Sequence, residues 1–251
     1  MAFGRSSNPT LKPEIFSSIR NSDYSNSMTV QGTVNKTLLM LALVIVPASY
    51  TWGEFFSGAN VSPYIGIGGI GGFIFALITI FKKEWAPITA PIYAILEGLF
   101  LGALSANIQF QNPVGDSIVM QAVVLTFGTF FTLLIAYKAG WIKVTDKFRM
   151  GLVAATGGVA LVYFISFIMS FFGGGLSFLY GSGMISIGFS LVVVVIAALN
   201  LVMDFDFIER GANAGAPKYM EWYAAFGLMV TLIWLYIEIL RLLSKLNSRR
   251  N

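Results

Sequence analysis

Seven long apolar runs constrain this chain more than any other feature of its sequence. They cover residues 36–56, 64–81, 87–108, 117–138, 150–172, 184–203 and 222–243. Each run is close to the roughly 20 residues that an α-helix needs to cross a hydrocarbon core about 30 Å thick. Only 11% of the residues are charged, against about 25% in soluble domains. The sequence therefore predicts an all-α membrane protein with seven transmembrane helices, embedded in the lipid bilayer.

The runs divide the chain into three parts. Residues 1–35 are rich in Ser and Asn and lack the apolar core of a signal peptide, so they are expected to form a flexible polar cytoplasmic tail. Residues 36–245 form the predicted seven-helix domain. Residues 246–251 are left as a short basic tail.

The basic residues predict the orientation of the helices. If the amino terminus is cytoplasmic, twelve of the sixteen basic residues lie on that side, and the three opposite loops hold none. The other four would lie outside after seven crossings. A re-entrant last segment would remove this conflict, but the last run is long enough to cross, so seven crossings are favoured. The twelve inner residues are Arg5, Lys12, Arg20, Lys36, Lys82, Lys83, Lys138, Lys143, Lys147, Arg149, Arg210 and Lys218.

Two absent residue types exclude whole classes of function. The chain has no cysteine, which removes disulfides, thiolate catalysis and cysteine-based metal sites. It also has no histidine, so zinc hydrolases, Ser-His-Asp enzymes and histidine proton switches are excluded in their usual forms. A net charge of +4 is too small and scattered for nucleic-acid binding. We therefore expect a protein that is not an enzyme, needs no cofactor and binds no nucleic acid.

Small residues recur at spacings that suit close contacts between membrane helices. Gly68 and Gly72 form one GxxxG motif, and Gly98 and Gly102 form another. The first motif lacks the Gly-Lys-Ser/Thr of a phosphate-binding loop, so helix packing is the preferred interpretation. The segment 154–158 (AATGG) is expected to serve the same purpose.

Acidic residues at membrane depth are the candidate functional residues, because burying an unpaired acid in a bilayer is costly. Glu97 lies near the middle of the third run and has no basic residue in the same run, so it is expected to face a cavity. Asp204 and Asp206 follow the sixth run and would point about 200° apart on a helix, so only one can face a shared path. Asp206 could pair with Arg210 in an ordinary i, i+4 contact, which leaves Asp204 as the inward candidate.

Two further acids allow both a functional and an ordinary interpretation. Glu221 follows Lys218 by three residues and could form a simple interfacial salt bridge. Glu238 precedes Arg241 by three, and both side chains could extend to the same membrane interface.

Four stretches of the chain carry a recognisable pattern. They are MTVQGTVNKTLLM (28–40), APIYAILEGLFLGALSA (90–106), KVTDKFRMGLVAATGG (143–158) and LNLVMDFDFIERGANAGAPKYMEWYAAFGL (199–228). In this order and spacing they resemble the Bax inhibitor-1 family, in its bacterial YccA-like branch. The resemblance implies seven helices with the last one central, a pH-sensitive calcium leak, and a place in the bacterial plasma (inner) membrane.

The resemblance also suggests a pair of proton-sensitive acids. Asp204 corresponds to an aspartate near the end of the sixth helix, and Leu235-Tyr236-Ile237-Glu238 resembles the pattern of its partner on the last helix, with Glu in place of Asp. Glu238 lies sixteen residues beyond Trp222, about 24 Å along a helix. If Trp222 marks the inner edge, Glu238 is far from Asp204, so Glu221 or Asp206 could be the partner instead.

Two hypotheses from different classes follow. The first is a proton-sensitive cation leak, with calcium favoured because it prefers oxygen ligands and could bind transiently near Asp204 or Glu97. Without histidine, a pH response between about 5 and 8 would have to come from carboxylates. The second is a non-transporting regulator that binds other membrane proteins or a membrane protease.

Overall fold

The computed structural model describes residues 26–113, 117–174, 176, 179 and 181–250, and within them seven helices are long and apolar enough to cross a membrane. These described residues form no strand, only an isolated bridge between Ser27 and Pro217. The predicted all-α membrane fold is thus confirmed. The helices are α1 (Val30–Phe56), α2 (Ser62–Phe81), α3 (Ala86–Gln111), α4 (Ile118–Lys138), α5 (Asp146–Phe171), α6 (Met184–Asn213) and α7 (Met220–Arg250), with a short 3-10 turn at Lys83–Trp85.

Three helix ends differ most from the apolar runs. α1 begins at Val30 rather than residue 36, because the Thr29 side chain caps it by accepting a hydrogen bond from the Gly32 amide. α6 continues ten residues beyond 203 and is followed by Gly215, whose φ of 66° suits the turn after a helix. α7 extends through most of the predicted 246–251 tail. Polar residues that end a hydropathy run therefore do not end these helices.

α7 is the central helix of the bundle. It packs against α1, α3, α4 and α6, and much of its surface is buried. Two apolar clusters meet on it: one with α4 and α6 around Leu235, the other with α1 and α3 around Met229. Its 31 residues span about 46 Å as one unbroken helix, which favours a full crossing over a re-entrant segment.

The two GxxxG motifs lie at close helix crossings. A Cβ at Gly68 would lie 2.6 Å from the Leu96 carbonyl oxygen of α3, and one at Gly98 would lie 2.4 Å from the Val44 carbonyl oxygen of α1. At Gly102 the nearest atom of α1 would be only 2.1 Å away. The predicted packing role of both motifs is confirmed, since only glycine allows backbones to approach this closely.

The prediction for residues 154–158 is wrong for its glycines. A Cβ at Gly157 or Gly158 would meet nothing within 4 Å. α5 packs mainly against α6 and is otherwise peripheral, so no other described helix lies against these two glycines.

Candidate functional site

The candidate site is a cavity of about 650 Å³ between α2, α3, α6 and α7. Glu97 and Asp204 both line it, and they are the only charged side chains among the described residues of its wall. Most of the remaining wall is apolar, with hydroxyl groups supplied by Tyr93, Tyr223 and Thr231. The cavity therefore brings together the two acids whose membrane depth made them candidates.

Glu97 extends from the middle of α3 toward α2. It has no hydrogen bond or ion pair with any described residue, and it lies in the cavity wall. Gly72 makes room for it, because a Cβ at that position would lie 2.7 Å from Glu97 Oε2. Gly72, the second glycine of the α2 motif, therefore leaves room for the Glu97 side chain as well as for the helix crossing.

Asp204 faces the cavity from α6. Thr231 of α7 lies beside it in the cavity wall and donates its hydroxyl to the Gly227 carbonyl oxygen at 3.2 Å, while Asp204 Oδ2 is buried without a hydrogen-bond partner among the described residues. Asp204 was predicted to lie at the inner end of the sixth helix, but α6 continues nine residues further, about 14 Å. Asp204 is therefore deeper in the bundle than predicted.

The cavity can attract a cation without holding it tightly. Two carboxylates and neutral oxygens match the ligands that hard cations such as Ca²⁺ prefer. No group of three or more potential acidic ligands occurs among the described residues. Transient binding suits this oxygen set better than a permanent, fully coordinated site.

A basic side chain lies at the edge of the site. Lys83, in the 3-10 turn between α2 and α3, has its Nζ 5.3 Å from the centroid of the Tyr223 ring. Because Tyr223 lines the cavity, this ammonium group lies next to one residue of the cavity wall.

Asp206 points away from the cavity, as its angular offset from Asp204 predicted. It forms the expected ion pair with Arg210 at 2.8 Å and a second one with Arg149 of α5 at 2.9 Å. The contact with Arg149 could not be predicted from the sequence, because it joins two helices whose register no local pattern gives. Asp206 is buried and paired on both sides, so it ties α5 to α6.

The contacts of Glu221 hold the starts of α1 and α7 together. It is fully buried and accepts hydrogen bonds from the amide and the hydroxyl of Thr29, both at 2.9 Å. It also pairs with Lys36 and, at 2.8 Å, with Lys218. The predicted Lys218 contact is present, but as one part of a buried junction that fixes the start of α7 to the start of α1.

Glu238 also forms its hydrogen bonds with residues other than Asp204. Its Oε1 accepts hydrogen bonds from the Tyr163 hydroxyl and from Arg241, each at 2.9 Å. Glu238 lies seven residues beyond Thr231, about 10 Å further along α7. None of the three candidate partners, Glu238, Glu221 and Asp206, is hydrogen-bonded to Asp204 in the part of the chain that the structure describes.

The fold and the site define a class: a seven-helix integral membrane protein with two carboxylates in a cavity beside its central helix. The chain belongs to the Bax inhibitor-1 family, because the family described as Bax inhibitor 1 like matches residues 8–248. A search of curated proteins found no match to the chain. The family prediction is confirmed, and the bacterial YccA-like branch stays a prediction.

Proposed function

We propose that the protein is a proton-sensitive cation leak, with calcium as the ion that its oxygen ligands suit best. One observation carries the proposal: Glu97 and Asp204 are the only charged groups among the described residues that line the 650 Å³ cavity. An acid without a cationic partner is expensive at membrane depth, so its retention there indicates a role in moving or binding an ion.

The side chains of the cavity wall favour the passage of an ion over its long-lived binding. Conduction needs binding that is strong enough to replace part of the hydration shell yet weak enough for release. Two carboxylates on different helices supply the attraction, and the hydroxyls of Tyr223 and Thr231 supply neutral oxygens. The protein would then act as a non-enzymatic pathway in the membrane, which we propose to be the bacterial inner membrane with the amino terminus in the cytoplasm.

Proton sensitivity follows from the same two acids. The chain has no histidine, and the other buried acids we describe are already held by basic residues. Protonation of Glu97 or Asp204 removes a negative charge from the cavity, so cation flux should fall as the pH falls.

Sealed vesicles containing the purified protein and a calcium dye test this function. Calcium uptake above that of empty vesicles is expected, with a large loss in Glu97→Gln. Asp146→Asn is the control, because Asp146 is exposed at the start of α5, lies outside the cavity wall and also loses its negative charge. Equal uptake by protein-containing and empty vesicles would reject the leak.

The alternative is a regulator that binds other membrane proteins without transporting ions. The open face of α5 at Gly157 and Gly158 favours it, because small residues allow a partner helix to approach closely. Silent vesicles, together with co-purification of a membrane protein that is lost in Gly158→Leu, would support the regulator.

A further inference from the structure

A second, apolar cavity lies between α1 and α4 and shares no described lining residue with the acidic cavity. Its volume is about 460 Å³, and its described lining residues include no charged side chain. It extends along α1 from Leu41 to Trp52 and along α4 from Val119 to Phe127, with α3 and α7 also lining it. We call this cavity the α1–α4 groove.

The α1–α4 groove is open along the outer surface of the bundle. Ile45 of α1 and Met120 of α4 line it and are 54% and 63% exposed. Met229 and Ile233 of the central helix α7 also line it, and both are buried. Exposed rims with a buried floor indicate an opening between α1 and α4. Because these helices are long and apolar enough to cross a membrane, this opening faces the hydrocarbon of the bilayer.

The hydroxyl groups inside the α1–α4 groove already have partners within the protein. The hydroxyls of Ser105 and Tyr236 are hydrogen-bonded to each other at 2.7 Å, and the Thr126 hydroxyl donates to the Ala122 carbonyl oxygen at 2.7 Å. A buried water needs about two to four polar partners, which this lining does not offer. A charged or strongly polar ligand would lose its hydration without replacement contacts. The lining therefore favours an apolar occupant.

The depth of the α1–α4 groove matches one leaflet of a bilayer. The distance along α1 from Leu41 to Trp52 is about 16 Å, and that along α4 from Val119 to Phe127 is about 12 Å. Half of a hydrocarbon core is about 15 Å thick. Trp52 lies near the end of α1, which ends at Phe56, and tryptophan is enriched at membrane surfaces. The groove therefore runs from one membrane surface to about the middle of the bilayer.

The width of the α1–α4 groove distinguishes a hydrocarbon chain from a partner helix. Dividing 460 Å³ by a length of about 16 Å gives a mean width of roughly 6 Å. An α-helix with its side chains is about 10–12 Å wide, so a helix of a second protein does not fit inside. An extended hydrocarbon chain does fit, because its carbons make contacts at about 4 Å. A chain in the groove also restores the dispersion contacts that an empty cavity would lose.

We propose that the α1–α4 groove binds one acyl chain of a membrane phospholipid, whose headgroup lies at the membrane surface near Trp52. The bound chain packs against Met229 and Ile233 of α7 and fills the space between α1 and α4. The inference is independent of the proposed cation leak, because the groove and the acidic cavity are lined by different residues. Loss of the leak would leave this site unchanged.

Native mass spectrometry of delipidated protein in a mild detergent tests the site, with dioleoylphosphatidylcholine as the added probe. Val123 lines the α1–α4 groove, whereas the adjacent Val124 is exposed and does not line it. Wild type should bind one phospholipid. Val123→Trp should lower the lipid-bound fraction at least about tenfold, because its indole ring occupies the groove and a loss of ~1.4 kcal/mol in binding free energy is a factor of ten. Val124→Trp, the matched control, should bind like wild type.

Three results of this experiment would overturn the proposal. The first is equal binding of the phospholipid by Val123→Trp and wild type. The second is loss of binding in Val124→Trp as well, since that loss would not come from the groove. The third is a different occupant on wild type, recognised by its mass as a free fatty acid or as a second copy of the chain.

Fluorescence quenching provides a second test that needs no bulky substitution in the α1–α4 groove. A phosphatidylcholine with brominated acyl chains is titrated into the delipidated wild type, because bromine quenches a nearby indole ring. Quenching should saturate near one phospholipid per chain. The quenched component should be lost in Trp52→Phe and kept in Trp141→Phe, a control outside the groove. Quenching that does not saturate, or that persists unchanged in Trp52→Phe, would reject the site.

Discussion

Gly102→Ala tests whether the crossing of α1 and α3 is as tight as the structure indicates. The added Cβ would lie 2.1 Å from the Ala48 carbonyl oxygen and 2.1 Å from Thr51 Oγ1. Real Cβ contacts are essentially never below 3.0 Å, so the two helices must separate by nearly 1 Å. Because the obstacle is backbone, rotation of a side chain cannot relieve the overlap.

The change that Gly102→Ala makes in the free energy of unfolding can be estimated from two opposing contributions. Overpacking of a close contact costs up to about 3 kcal/mol, and replacing glycine by alanine within a helix returns about 1 kcal/mol. A net loss of about 2 kcal/mol in the free energy of unfolding should lower the Tm by roughly 4–8 °C for a chain of this size.

Thermal unfolding of the detergent-purified protein, followed by tryptophan fluorescence, measures this loss. Gly158→Ala is the matched control, because its Cβ meets nothing within 4 Å and the higher helix propensity of alanine should hold or raise the Tm. If Gly102→Ala and Gly158→Ala unfold at the same temperature, the close crossing is absent and the reasoning fails.

Three further predictions address topology, the α1–α7 junction and the edge of the cavity. In intact cells, a cysteine at Asp146 should resist a membrane-impermeant thiol reagent and one at Ser57 should react; the reverse pattern would invert the topology. Glu221→Gln should lower the free energy of unfolding by about 2 kcal/mol, since it weakens charge-assisted hydrogen bonds in a buried site; an unchanged Tm would show that the junction contributes nothing. Lys83→Gln should raise calcium flux near 0.01 M salt more than near 0.15 M, because salt screens the repulsion of an exposed charge; an increase that is independent of salt would rule out this electrostatic role.

The sequence predicted the features that follow from the length of a helix in a bilayer. Seven runs of about 20 residues correspond to seven helices, and the motifs at Gly68 and Gly98 lie at close crossings. The angular separation of Asp204 and Asp206 was also informative, since the first lines the cavity and the second pairs with arginines. These inferences needed only the geometry of one helix.

Features that depend on how the helices are aligned with one another could not be predicted from the sequence. Glu97 and Asp204 were singled out separately, but nothing in the local pattern placed them in one cavity. The depth of Asp204 was misjudged because hydropathy falls at residue 204 while the α6 backbone continues to Asn213. Lys245 is one of the four basic residues that would lie outside after seven crossings, whereas its side chain is buried against Ser190.

We propose that Glu97 and Asp204 attract cations into the cavity, and the electrostatic contribution of each can be estimated. A sphere of 650 Å³ has a radius of about 5 Å, and one unit charge at that distance attracts a monovalent cation by ~3 kcal/mol at an effective dielectric constant of 20. Even a fraction of this energy changes flux by tenfold, because ~1.4 kcal/mol is a factor of ten.

The most direct test measures initial calcium uptake into sealed vesicles between about pH 5 and 8, the range that histidine would otherwise cover. We compare wild type, Glu97→Gln, Asp204→Asn and the double variant, with Asp146→Asn as an exposed control. Wild-type uptake should fall with acidification, each single variant should conduct at least about tenfold less at the alkaline end, and the double variant should match empty vesicles at every pH. A double variant that retains the wild-type uptake and pH profile would contradict the account.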